Sequence, residues 1–254
     1  MRVNVVSDVH CRVDRLAAAS AGADALLCLG DLLLFLDYDH HGEGIFADLF
    51  GSGAAARLIE LRTAGRFDEA RDWSGKHWST VGDRQAVIDG AIHRQYAALF
   101  DAMPVPAYLT YGNVDVPHLL REHVHDGQRV LDGEVVELGG RTFGFVGGGL
   151  RTRYRTPYEL DDDEYAAKVA AVGSVDVLCA HIPPDVPDLL FDTVARRLER
   201  GSQALLAAIH ETRPKLVLFG HVHNPLAARM RIGRTECVNV GHFRATGTPY
   251  RLEW

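Results

Sequence analysis

Apolar residues recur along this chain in short runs, and most of the runs are continuous rather than alternating. "VNVV" (3–6), "ALLCLG" (25–30), "AYLTYG" (107–112), "VDVLCAH" (175–181), "KLVLFGH" (215–221) and "TECVNVG" (235–241) each have the length of a strand and little polar interruption. Strands of that kind are covered on both faces, as in parallel sheets. Helical spacing predicts helices over 12–21, 84–102, 161–172 and about 188–212. "GEVVEL" and "RTFGFVGG" flank Gly139-Gly140, the signature of a β-hairpin. Strand and helix alternate, so the expected class is α/β with partly parallel sheets and antiparallel character in the middle. There is no internal repeat and no low-complexity tract.

One spacing breaks the alternation. Eighty-two positions separate Asp31 from Asn113, whereas a parallel crossover needs little more than a dozen residues and a helix. Residues 33–90 therefore read as a helical insertion within a single domain spanning 1–254. The segment holds "LLLFL", a small-residue stretch "GSGAAARL", Trp73 and Trp78. A lid that shapes substrate choice, a homodimer contact and a loosely packed appendage all fit it.

The polar residues that end the apolar runs are unusual. Asp8 and His10 in "SDVH", Asp31 in "LGD", Asn113 in "GNVD", His181, and His221 and His223 in "GHVH" each follow a strand-like run. Ligands of open α/β sheets bind outside the carboxyl ends of the strands. Singly, each has a plain reading as a turn, a cap or a structural histidine. Five separate segments delivering such residues to one edge exceed what turn chemistry explains. "GHVH" is the most specific piece, because alternation on extended chain puts both imidazoles on one face. Imidazoles, carboxylates and one amide carbonyl, without thiolate, suit Mn, Fe, Zn, Ni or Co. The donors are too many for one ion, and two ions sharing a carboxylate account for them.

In order and placement, "SDVH…GD…GNVD…H…GHVH" resembles the calcineurin-like metallophosphoesterase superfamily over residues 7–223. "AHIPPD" (180–185) and "PKLVLFGHVHNP" (214–225) are similar, more weakly, to its class III and related branch. The resemblance implies a two-sheet β-sandwich flanked by helices, with two divalent metal ions on one edge. Asp8, His10 and His223 would hold the first ion. Asn113, His181 and His221 would hold the second, and Asp31 would bridge them. Manganese is the expected ion, with Fe, Zn, Ni, Co or Mg as alternatives. The implied activity is phosphoester hydrolysis by a hydroxide that bridges the metals.

"GNVD" departs from the family pattern. A histidine usually stands where this chain has Val114, oriented by the acidic residue that follows, here Asp115. That imidazole protonates the leaving group, a contribution of about 10²–10⁴-fold. Asn113 and Asp115 therefore stand as the catalytic candidates of this motif, with the proton donor missing. A phosphodiesterase acting on acidic leaving groups is expected over a monoesterase. His118, His123, His125, His40 and His41 are candidate substitutes.

Among the remaining motifs, "GGGL" (147–150) lacks the GK[ST] of a phosphate loop. "RTRYR" (151–155) reads as a solvated edge, or as a substrate-phosphate contact through Arg151. "DDDE" (161–164) reads as an acidic first helical turn complementing the helix dipole.

Bulk composition narrows the alternatives. With 47% hydrophobic and 24% charged residues, the 254-residue chain has a globular profile. A net charge of −7 removes the global basic field of a nucleic-acid binder. A nuclease and a non-catalytic metal-binding scaffold of the same fold remain as alternatives to a hydrolase of small phosphoesters. No run approaches the ~18 apolar residues of a membrane span. The opening "MRVNVVSDVH" reads as a first strand, not a signal peptide. Cys11, Cys28, Cys179 and Cys237 form no CxxC pair, and the expected setting is reduced and cytoplasmic.

Overall fold

The computed structural model describes residues 1–254. The chain opens with β1 (Arg2–Val6), a short α1 (Val13–Leu16) and β2 (Ala25–Cys28). Four helices follow: α2 (Ile45–Phe50), α3 (Ser52–Thr63), α4 (Phe67–Trp78) and α5 (Arg84–Ala102). Then come β3 (Ala107–Leu109), α6 (Pro117–Arg121), β4 (Gln128–Val130), and the hairpin β5 (Glu134–Leu138) and β6 (Arg141–Val146). A small ribbon, β7 (Gly149–Leu150) and β8 (Glu159–Leu160), leads into α7 (Asp162–Val172) and β9 (Val177–Ala180). After α8 (Pro187–Leu190), a second ribbon joins β10 (Phe191–Asp192) to β11 (Arg197–Leu198). The chain ends with α9 (Gln203–Thr212), β12 (Leu216–Phe219), β13 (Arg229–Ile232), β14 (Thr235–Asn239), α10 (Phe243–Thr246) and β15 (Tyr250–Glu253).

Two sheets carry the fold. One has the order β15-β1-β2-β3-β4 and the other β13-β14-β12-β9-β6-β5. The central strands of each are parallel, and β15, β5 and β13 add antiparallel edges. Side chains of a strand alternate between faces, and here both faces are covered. Val3, Val5 and Leu27 meet Phe143, Phe145, Cys179 and Leu218 between the sheets. Val6, Leu26, Cys28 and Leu109 face outward onto α5 through Tyr96, Leu99 and Phe100. Val146, Leu178, Val217 and Phe219 face the opposite way, onto α7 and α9. The result is a helix–sheet–sheet–helix sandwich, and it explains why the strand sequences are continuous apolar runs.

The helices between β2 and β3 fall into two groups. Leu36, Phe46, Leu58, Ile59, Leu61 and Trp78 form an apolar cluster of their own. By contrast α5 packs on the first sheet. The unit with a separate core is thus shorter than 33–90 at its far end, because α5 begins at Arg84 and belongs to the main sandwich.

Other expectations shift where tertiary contacts overrule local pattern. The helix expected over 188–212 is interrupted. Asp192 accepts hydrogen bonds from the N–H groups of Val194 and Ala195 and folds the chain into the β10/β11 ribbon. Helix resumes only after Ser202, whose hydroxyl caps Leu205. The helix expected over 12–21 shortens to one turn of α1. The acidic start of α7 is a capping box between Asp161 and Glu164. β4, β13 and β15 carry no apolar run, and periodicity does not predict them. All three are edge strands, and β13 and β15 have half-exposed, alternating side chains.

Candidate metal centre

Every residue expected as a ligand lies where the parallel strands of the two sheets end. Asp8 and His10 follow β1, Asp31 follows β2, Asn113 follows β3, His181 follows β9, and His221 and His223 follow β12. The chain must turn sharply there to aim these side chains at one another. Asp8, His10, Asp31 and His221 all take positive φ, at 55°, 41°, 52° and 67°. Each such residue costs about 1–3 kcal/mol and persists only where surrounding structure imposes it, typically at functional sites.

The glycines of the motifs make this approach feasible. A Cβ on Gly112 would lie 1.9 Å from Asp31 Oδ1, and one on Gly220 would lie 2.0 Å from Ser7 Oγ and 2.4 Å from Asp8 Oδ2. Gly30, at φ +95°, passes so near the backbone of Gly112 that a Cβ would fall 2.1 Å from its nitrogen. The "GD", "GN" and "GH" spelling therefore has a steric cause.

The side chains form a connected set of donors. Asp31, His181 and His221 make one group, Asp8, His10 and Asp31 another, and His10, His223 and His242 a third; within each, ligand-type atoms lie within 4.8 Å of one another. Asp31 is shared, with Oδ1 3.4 Å from His181 Nε2 and Oδ2 3.9 Å from His10 Nε2. Asn113 joins through Oδ1, 3.0 Å from His181 Nε2.

Hydrogen bonds outside the cluster fix which atoms face inward. The carbonyls of Leu33 and Leu29 lie 2.8 Å from Nδ1 of His10 and His181 respectively. A carbonyl only accepts, so Nδ1 carries the proton in each ring and Nε2 is the inward atom. Asn113 Nδ2 donates to Thr156 Oγ1, which donates to Glu159 Oε1. That leaves the Asn113 carbonyl turned to the cluster.

Burial and proximity set the charges. Burial alone would raise Asp8, yet His223, His181 and His10 hold it well below the usual carboxylate range. Asp31 likewise falls to about 2 against its burial, through His181 and His10. Burial would lower His181, but Asp31 overrides it and raises the ring to about 9. His242 has no such partner, and burial followed by His223 pushes it down to about 3.

This donor set fits divalent metal ions. Its atoms are imidazole nitrogens and oxygens, without thiolate. Two buried atoms in it, Asp8 Oδ1 and His242 Nε2, have no hydrogen-bond partner, and an unpaired buried polar atom is rare and costly.

A matching family profile decides what the geometry belongs to. Calcineurin-like phosphoesterases match over residues 1–225, which includes all seven expected ligand positions. The chain belongs to the calcineurin-like phosphoesterase family. Among solved structures, TT1561 of Thermus thermophilus is similar at 14% identity, with a TM-score of 0.57, covering 99% of this chain and 98% of that one. This likeness speaks for the fold. GAP50, the anchor in the inner membrane complex of Plasmodium, aligns at 9% identity with a TM-score of 0.40, over 95% of this chain and 71% of that one. No curated protein matches the chain.

Calcineurin-like phosphoesterases use divalent metals, and the seven expected ligand residues are brought together here. Two further candidates make contacts of their own. Asp115 is fully buried and does not stand free beside a reacting group. Its Oδ2 accepts from Gly112 N–H at 2.8 Å, and its Oδ1 accepts from Leu32 N–H at 3.0 Å and from the Tyr96 hydroxyl at 3.3 Å. It fastens the "GD" and "GN" loops together, which positions Asp31 and Asn113. Burial, then the charge of Asp31, raises its carboxyl to about 6. Arg151 is solvent-exposed and turned to Asp161, 3.6 Å away; Asn113 is met instead by Thr156 and by the Tyr158 N–H, which donates to the Asn113 main-chain carbonyl at 2.9 Å.

The candidate substitutes for the missing histidine are spread out. His40, His41 and His118 are exposed, His123 pairs with His93 at 2.9 Å, and His125 faces Asp101 at 3.1 Å. None joins the donor groups. Two neighbours of the cluster are not among the expected site residues. Thr156, which orients Asn113, has no motif. His242 has a signal: it follows the apolar run 235–241, the same strand-end placement as the expected ligands.

The raised His181 ring carries a consequence for metal uptake. A metal needs the Nε2 lone pair, and below about pH 9 that atom holds a proton. Binding there must release it, so affinity at this site is expected to rise about tenfold per pH unit from pH 6 to 8. Zinc or manganese titrations at these pH values check this; a flat affinity would exclude His181 as the group displaced.

Proposed function

We propose that this protein hydrolyses phosphoesters with a pair of divalent ions, preferring phosphodiesters, and monoesters only where the leaving group departs unprotonated. The observation that carries this reading is the sharing of Asp31 between two donor groups, with Val114 next to Asn113. Two bound ions would supply charge neutralisation at the phosphoryl oxygens and a water acidic enough to be a nucleophile near neutral pH. Manganese is the proposed ion, and a histidine-rich set also accommodates Fe, Zn, Ni and Co.

The chain's own groups do the holding and aiming. Asp8, His10 and His223 form one side of the cleft, and Asn113, His181 and His221 the other. Asp31 spans the two and is pinned by the Val114 N–H, which donates to Oδ1 at 3.0 Å. The side chain of Val114 packs with the apolar core of the first sheet, so this position offers no proton.

No helix is long and apolar enough to cross a membrane. All four cysteines are free thiols, three of them buried, which suits the reducing cytoplasm proposed as its setting.

The test is a leaving-group series of aryl and alkyl phosphomonoesters and phosphodiesters with the manganese-loaded protein. Rates should fall steeply as the leaving-group pKa rises, with aryl diesters fastest. Equal rates for aryl and alkyl esters would overturn the reading.

A further inference from the structure

We propose that His242 is an additional ligand of the first metal site, which then holds its ion with three imidazoles, His10, His223 and His242, besides Asp8 and Asp31. The inference rests on the metal-binding part of the proposed function and on no assumption about turnover.

Position is the first support. His242 follows β14, the strand hydrogen-bonded to β12, which delivers His221 and His223. Its ring lies over His223 with centroids 3.7 Å apart and planes 14° from parallel, and meets His10 edge-on at 5.9 Å; lone pairs lie in the ring planes, so sharing an ion requires the His242 ring to turn out of this stack. The nitrogens of the three rings lie within ligand-sharing distance of one another.

The second support is its unmet bonding capacity. Nε2 of His242 is buried without a hydrogen-bond partner, and so is Asp8 Oδ1 in the same cluster. Leaving a buried polar atom unpaired is rare and costly. A ring that served only for packing would not need nitrogen there. An ion held by His10, His223 and His242 would occupy the Nε2 lone pair of His242.

Bracing of the segment is the third. Phe243 N–H donates to Ser7 O and Arg244 N–H to Asp8 O, both at 3.0 Å. Arg244 Nη1 donates to His10 O at 2.6 Å. On the other side, Asn239 Nδ2 donates to Val222 O at 2.9 Å, within the "GHVH" loop. The turn carrying His242 is thereby tied to both segments that supply the other ligands of this site. Ligands held this way keep their geometry through supporting hydrogen bonds.

A site with three imidazoles selects zinc, iron, cobalt or nickel over magnesium. It also makes the pair of sites unequal, since the second offers two imidazoles and an amide carbonyl.

Zinc alone is the probe. Wild-type protein under increasing chelator should lose one zinc easily and retain the other. His242→Phe keeps a ring against His223 and removes both nitrogens. It should weaken the retained site by at least about tenfold, the lower bound for disturbing even the support of a ligand, and leave the other site unchanged. Unfolding of the metal-free proteins checks that the variant folds. A crystal structure of the zinc-loaded wild type gives an answer independent of the variant. His242 Nε2 should lie at about 2.0–2.1 Å from zinc. Unchanged retention in a folded variant, or Nε2 held off the zinc by a water or by bound phosphate, would overturn the inference while leaving the metal centre intact. Wild-type protein that takes up no zinc would overturn both.

Discussion

Asp31→Ala is expected to abolish phosphoester hydrolysis and to lower the metal content of the purified protein from the proposed two ions per chain to less than one. Asp31 is the one residue common to the groups on both sides of the cleft, so its loss opens both at once. Removing a single preorganised electrostatic group commonly costs about 10²–10³-fold in rate, and a shared ligand should exceed that. Alanine also strands the Val114 N–H, which donates to Asp31 Oδ1, and places a Cβ residue without side-chain polarity at φ 52°. Both effects lower stability, by about 1–3 kcal/mol for the unpaired donor. Asp31→Asn separates charge from fold. Asparagine tolerates positive φ and keeps an acceptor for Val114, but removes the negative charge. Activity and metal binding should still be lost. In the metal-free variant the His181 ring should also fall from about 9, because burial lowers it and Asp31 is the leading influence that raises it. An NMR titration of that imidazole reads this directly. Full activity in a folded Asp31→Asn variant would exclude the shared-carboxylate site.

Val114→His should raise turnover of alkyl phosphates by about 10²–10⁴-fold, the usual contribution of a positioned general acid, and change aryl phosphodiester turnover little. Aryl leaving groups depart as stable anions and gain little from a proton. Val114 is half-buried against the first-sheet core, so the new ring must turn toward the cleft to act. Val114→Gln, of comparable reach and without acidity, controls for altered packing. Equal gains on alkyl and aryl esters, or equal gains in the glutamine variant, would sink the account of Val114. The metal centre itself would be untouched by that outcome.

The two variants touch different levels of legibility. Asp31 stands out in the sequence because it ends a buried run in a Gly-Asp pair, and the Gly has a steric reason: Gly30 passes against Gly112. Asp115 stands out by its motif, and the structure adds a second task. Its place in the motif suggests a residue that orients a catalytic group, while its hydrogen bonds to Gly112, Leu32 and Tyr96 make it a fastener between loops. Arg151 is suggested by proximity in sequence to a bend, and the acidic N-cap of α7 claims it instead. Thr156 is invisible in the sequence, since it acts through one hydroxyl contact across 43 positions of chain. His242 is within reach of the strand-end rule, applied once more beyond the last motif.

Sequence alone determined the parallel strands and the edge at which their polar residues emerge. Continuous burial demands continuous apolar runs, and chain reversals at strand ends demand glycine beside the ligands. The helices from 188 to 212, the edge strands β13 and β15, and the hydrogen-bond partners of Asp115 and Asn113 were decided only in three dimensions. Each depends on which distant backbone group or ring lies within about 4 Å, and local periodicity carries no record of that. The same distinction applies inside the site. The kinds of donor were written in the chain, whereas their inward-facing atoms were set by the carbonyls of Leu29 and Leu33 and by Thr156, partners that hydrogen bonding selects only once the two sheets have come together.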